Sequence, residues 1–118
     1  IGILGLSFKP NTDDIRDSRA TKIIDILKKQ GAHIQAYDPK AMKNMAGVHH
    51  DILYCGSALE AAKDVDALVL VTEWNEFLSI DFELLKSVMK SPIVFDGRNL
   101  YDPIEMKSMG FDYQGIGR

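Results

Sequence analysis

The chain has 118 residues, of which 46% are hydrophobic and 26% charged, the balance of a single soluble globular domain rather than of a disordered or membrane-spanning chain. Such a length leaves no room for a second domain and allows roughly two-thirds of the unfolded chain's surface to be buried in one core. The net charge of −3, with no Lys/Arg block, gives no support to nucleic-acid or anionic-membrane binding, so any bound anion must be gripped locally.

The opening "IGILGL" (1–6) is an apolar run of strand length. No polar lead-in or charged leader precedes it, and no run approaches the roughly 18 apolar residues that span a bilayer. A core strand at residue 1 predicts that residues 1–118 are one domain, the C-terminal part of a longer polypeptide. After a polar loop, Ala20, Ile23, Ile24 and Leu27 recur at helical spacing, with Ser18 or Asp17 as cap and Gly31 as terminator. "HIQAY" (33–37) is the next strand, closed by Asp38-Pro39, and the β-α-β unit so formed joins parallel neighbours by a right-handed crossover. Residues 40–54 hold one short helix and one short strand.

The alternation continues with a helix at "SALEAAKDV", a strand at "ALVLVT" (67–72), a helix at "DFELLKSVM" opened by Asp81, and a strand at "IVF" (93–95). A helix around "PIEMKSM" and a strand near "FDYQGI" complete the chain. The strands are too continuously apolar for a half-wet sheet. The expected fold is therefore α/β: a Rossmann-like, doubly wound, mostly parallel sheet with helices on both faces. Ligands of such sheets sit at the carboxyl ends of the strands, which directs attention to residues 7–17, 38–40, 73–75 and 96–100.

In the first of these loops, "SFKPNTDDIRD", Lys9 and Arg16 stand within a few residues of a helix N-terminus, where free N–H groups favour an anion. Asp13 and Asp14 would repel a phosphate if they faced it, so they orient the cations or accept from loop N–H groups. The alternative is a solvated, salt-bridged turn. "DGRN" (96–99) repeats the arrangement: Asp96-Gly97 makes the bend and Arg98 follows it, as a guanidinium fork for phosphate or sugar oxygens or as a plain surface arginine. Two cations leaving one sheet edge point to a shared anion.

Gly2 and Gly5 do not form G-x-G-x-x-G, so a whole dinucleotide is not expected to bind this chain alone, and Asp38 reads as a cap before Pro39. Cys55, the single cysteine, has no His or Asn partner arrangement and reads as structural, which fits a reducing, cytoplasmic setting. His49-His50-Asp51 matches no common metal spacing. Glu73 and Trp74 in "TEW" line a pocket or form an aromatic lid over the sheet's end.

"GLSFKPNTDDIRDS", "TEW", "FDGRNLYDP" and the closing "IGR", in this order across the whole chain, resemble the C-terminal, UDP-binding domain of the UDP-glucose/GDP-mannose dehydrogenase family. The loops "FKPNTDD" and "DGRN" are most similar to the UDP-glucose branch. The alternatives are the GDP-mannose or UDP-N-acetylmannosamine branches and, outside them, a free-standing nucleotide-sugar-binding module. The resemblance implies an NAD-dependent, two-step oxidation of a sugar C6 alcohol to a carboxylate through a cysteine-bound intermediate. It implies that Phe8, Lys9 and Arg98 contact the UDP-sugar and that Arg16 reaches NAD held mainly by an upstream domain. It also implies upstream NAD-binding and central domains in the same polypeptide and a homodimeric full-length enzyme. The nucleophilic cysteine of the family lies in an upstream segment ending in Cys-x-Pro-Lys-Asp, which does not occur here, so Cys55 does not inherit that role. The chain alone holds no catalytic residue. "DSRA" replaces the Glu-Ser-Pro or Glu-Ala-Pro helix start of many relatives, which touches only the cap.

Overall fold

Short apolar or alternating runs followed by polar turns make short strands, and a computed structural model of the protein describes residues 1–117 as strands alternating with helices. The strands are β1 (Gly2–Leu4), β2 (Gln35–Tyr37), β3 (Leu53–Tyr54), β4 (Leu68–Leu70), β5 (Ile93–Asp96) and β6 (Asp112–Gly115). The helices are α1 (Arg19–Lys29), α2 (Met42–Ala46), α3 (Ala58–Ala62), α4 (Phe82–Val88) and α5 (Pro103–Ser108), with a 3-10 segment at Asn75–Ser79. Arg118, which ends the "IGR" motif, lies outside the described residues.

All pairings are parallel, in the order β3-β2-β1-β4-β5-β6. This is the Rossmann order, with its reversal between β1 and β4. The doubly wound reading of the sequence is therefore correct, and the uncertain stretch 40–54 does hold one short helix and one short strand.

Four of the five α-helix starts among the described residues follow from side-chain caps. Ser18 Oγ accepts from the Ala20 N–H, Ser57 from Glu60, Asp81 from Leu84, and Asp102 from Ile104 and Glu105. Each such cap is worth about 1 kcal/mol. Alternation along each strand divides the core. Ile3, Leu6, Ala36 and Val71 bury against Ala20 and Ile24 of α1 and Met45 of α2. Leu4, Leu68, Leu70 and Val94 face Ala61 of α3, Leu85 of α4 and Met106 of α5 on the other side. Alanines in α3 let it approach the β1 backbone: a Cβ on Gly2 would stand 2.6 Å from the Ala61 carbonyl oxygen.

Candidate functional site

At the end of β1 the chain must turn away from β4, and only a residue without a side chain can do so here. Gly5 has φ +95, and a Cβ on it would lie 2.4 Å from the Thr72 amide nitrogen. The loop that follows is pinned at several points. The amides of Leu6 and Ser7 donate to Asp38 Oδ2 at 2.7 and 3.1 Å, and Thr72 Oγ1 donates to the Ser7 carbonyl at 2.7 Å. Ser7 Oγ donates to the Lys9 carbonyl at 2.8 Å, and the Phe8 amide reaches the Asp14 carbonyl at 2.7 Å. Lys9 is thus carried on a braced turn.

Asp38 does more than cap. Its fully buried carboxylate also accepts from the amides of Lys40 and Ala41, both at 2.8 Å, and from the Trp74 indole at 3.1 Å. Five donors converge on it, joining the ends of β1, β2 and β4. Trp74 is buried in that role, packed under the rim as part of the core and not laid over it as a lid.

Asp96 does the same work at the end of β5. Buried, it accepts from the Arg98 amide (3.0 Å), the Tyr101 amide (2.9 Å) and the Tyr113 hydroxyl (2.7 Å). The Gly97 amide donates to the Leu70 carbonyl at 2.9 Å, fixing the bend to β4. Arg98 then leaves the edge and its Nε donates to Glu73 Oε2 at 2.9 Å. Burial pushes the Glu73 carboxyl up, but the Arg98 hydrogen bond, a backbone hydrogen bond and the Arg98 charge together outweigh it and hold the group below the usual glutamate range.

Lys9 and Arg98 line one cavity of about 240 Å³, together with Phe8, Asp17 and Arg19, and with Ser7 and Val71 behind them. It lies at the carboxyl ends of β1, β4 and β5, beside the start of α1, where the sheet order reverses. Three cations face one carboxylate there, an excess suited to a phosphate chain. Larger hollows occur at the amino ends of the strands, around Lys28 to Leu53 and around Ile1 to Asp66, and elsewhere beside Asp13 and Lys40 and between Leu78 and Glu105. They lack such an excess, and Lys28 is already paired with Asp51 at 2.8 Å.

Arg16 is not in this cavity. It stands 87% exposed and forks onto Asp14, with Nε at 3.0 and 3.2 Å from the two carboxylate oxygens and Nη2 at 2.7 Å. The hydrogen bonds from Arg16 hold the Asp14 carboxyl down at about 2. Asp14 thus orients a cation and also accepts from the Arg16 backbone amide at 2.9 Å, filling both roles the sequence allowed it. Of the two cations in the first loop, only Lys9 shares a cavity with Arg98. Arg19, which sequence reasoning treated only as a departure at a helix cap, joins them. Its position directly after the Ser18 cap, at the rim-facing end of α1, is the signal that could have found it.

Burial pushes the Cys55 thiol up, with the charge of Glu60 adding to it, which is the opposite of an activated nucleophile. Among the described residues no group of three or more His, Cys, Asp or Glu side chains is placed to hold a metal, and no helix is long and apolar enough to cross a membrane.

A doubly wound sheet with a cationic hollow at its switch point defines a Rossmann-like domain of the nucleotide-binding type. The family model described as "UDP-glucose/GDP-mannose dehydrogenase family, UDP binding domain" matches residues 2–103. The chain belongs to that family. It is 47% identical over 118 residues to a UDP-glucose 6-dehydrogenase of Rhizobium meliloti, covering all of this chain and 27% of that protein. It is 40% identical over 124 residues to the UDP-glucose 6-dehydrogenase of Pseudomonas aeruginosa, with the same coverage of 100% and 27%. Among solved structures, a UDP-glucose dehydrogenase from Pyrobaculum islandicum superposes with TM-score 0.75 at 31% identity, over 88% of this chain and 23% of that one. An NDP-N-acetyl-D-galactosaminuronic acid dehydrogenase from Methanosarcina mazei Go1 reaches TM-score 0.85 at 28% identity, over 99% and 24%. The chain therefore spans about a quarter of the length of the curated relatives it matches.

Proposed function

We propose that the chain is the UDP-sugar-binding domain of a cytoplasmic, NAD-dependent UDP-glucose 6-dehydrogenase. That enzyme converts UDP-glucose to UDP-glucuronate, a precursor for polysaccharide synthesis, in two oxidation steps. The observation that carries this reading is that Lys9 and Arg98, from turns 89 positions apart in sequence, line one cavity at the switch point. A guanidinium fork and an ammonium on one hollow suit a diphosphate, and the exposed ring of Phe8 beside them supplies apolar contact to the rest of the ligand.

At about 240 Å³ the hollow is smaller than the roughly 300–1,000 Å³ of pockets that enclose a drug-sized ligand. It holds the phosphates, and other parts of the polypeptide close over the nucleoside and sugar. This fits a domain that works against upstream cofactor-binding and central domains in a homodimeric enzyme. NAD, when bound, supplies the hydride acceptor. The residues present do not make a dinucleotide cradle, since the Gly-rich loop is missing, but Arg16 is exposed and cationic and offers a contact to NAD held across an interdomain cleft.

Lys9 and Arg98 hold the diphosphate and Phe8 packs on the ligand, while chemistry takes place on residues outside this chain. Removing either charge-assisted contact costs about 1.5–3 kcal/mol of binding. Calorimetric titration of the chain with UDP, UDP-glucose, GDP-mannose and NAD tests the reading. Weak binding selective for the UDP ligands is expected; tighter binding of NAD than of UDP overturns it.

A further inference from the structure

Three consecutive residues at the end of β4 each reach a different rim loop. Thr72 Oγ1 donates to the Ser7 carbonyl in the loop that carries Lys9. Trp74 Nε1 donates to Asp38 in the loop after β2. Between them, Glu73 Oε2 accepts from Arg98 Nε at 2.9 Å in the loop after β5. The tripeptide therefore spans the two cations of the proposed diphosphate site from the strand that lies between them.

We propose that Glu73 is a positioning residue: it clamps the guanidinium of Arg98 by its inner nitrogen, so that the outer edge is presented to the cavity at a fixed distance from Lys9. The geometry has three parts. Glu73 is not among the residues lining the cavity, whereas Arg98 is, so Glu73 acts through Arg98 and not on the ligand. The contact uses Nε, and among the described residues neither Nη group has a hydrogen-bond partner, which leaves the paired N–H donors of the fork for an anion. Both side chains are about one-third exposed, 29% for Arg98 and 31% for Glu73, and Glu73 Oε1 is buried without a hydrogen-bond partner among the described residues. A carboxylate in that position is not a solvated surface charge.

This assignment rests on the reading of the cavity as a diphosphate site, and it predicts an effect opposite in sign to plain electrostatics. Deleting a carboxylate near an anion site should tighten anion binding by Coulomb's law. If Glu73 sets the guanidinium, its deletion weakens binding instead, because a free arginine must be ordered each time a ligand arrives.

The test is titration of the chain with UDP, followed by NMR shifts so that weak affinities are read, for the wild type and for Lys9→Ala, Arg98→Ala, Glu73→Ala, Glu73→Gln and the Arg98→Ala/Glu73→Ala double variant. Glu73→Ala is expected to weaken UDP about five- to tenfold. Glu73→Gln, which keeps the shape and an acceptor for Nε, is expected to recover part of the loss, and Glu73→Ala to have no further effect once Arg98 is alanine. Unchanged or tighter UDP binding in Glu73→Ala overturns the assignment. So does an undiminished effect in the Arg98→Ala background, which would be a general structural loss. If the wild type fails to bind UDP, or Lys9→Ala leaves binding intact, the diphosphate reading itself fails and the assignment with it.

Discussion

The Trp74 indole donates to Asp38 Oδ2 at 3.1 Å, tying the end of β4 to a carboxylate that follows β2, with β1 between them in the sheet. Because the same carboxylate holds the Leu6 and Ser7 amides, one buried anion sets the height of the loop that carries Lys9. Buried donors left without a partner cost about 1–3 kcal/mol each. Asp38→Ala removes the acceptor for five of them at once and is expected to lower stability by at least about 3 kcal/mol. Equilibrium denaturation measures this, and a loss below about 1 kcal/mol would show that water or rearranged loops replace the carboxylate.

The Asp14–Arg16 pair gives a pH prediction with a definite sign. Arg16 depresses the Asp14 carboxyl from 3.8 to about 2, so the pair's stabilising contribution is present above the ordinary carboxylate value and fades as pH falls from there towards 2. An NMR titration of the Asp14 side chain should show a midpoint near 2, returning towards 3.8 in Arg16→Ala. A wild-type midpoint near the ordinary value would mean that the fork is not formed in solution.

Cys55 should be slow to alkylate. It is buried at 8% exposure with its thiol pushed up, so the thiolate needed for attack is scarce at neutral pH. Labelling with iodoacetamide at pH 7.5 is expected to run more than tenfold slower in the native chain than in denaturant. Equal rates would contradict the burial of this residue in the core.

Arg19 and Arg16 should part company in ligand binding. Arg19 shares the cavity with Lys9 and Arg98, while Arg16 does not. Arg19→Ala is expected to weaken UDP by about 0.5–1.5 kcal/mol, the effect of an exposed, screened cation at the cavity. Arg16→Ala leaves UDP affinity unchanged. The same calorimetric series reads both, and the reverse order would move the anion site to the outer loop.

The fold was legible because hydrophobic period and cap residues agree along the chain. Short strands at Ile3, Ala36, Val69 and Val94 alternate with helices whose starts at Ser18, Ser57, Asp81 and Asp102 are written in side-chain chemistry. β1 is shorter than its apolar run, since "IGILGL" leaves the sheet at Gly5, whose positive φ breaks the pairing. Lys9 and Arg98 were visible because each follows a strand by a short turn. What convergence adds was not visible. That Asp38 collects donors from Leu6 and Trp74 and that Glu73 meets Arg98 depend on which strands neighbour one another. No local spacing records those distances.

If Lys9 and Arg98 grip the same phosphates, as proposed, a comparison of UDP with uridine shows it most directly. Both are titrated into the wild type, Lys9→Ala and Arg98→Ala. Each substitution is expected to lower UDP affinity by about 10- to 100-fold and to leave uridine affinity unchanged, so that the preference for the nucleotide collapses in both. UDP affinity that survives either substitution, or equal losses for UDP and uridine, would contradict the proposal.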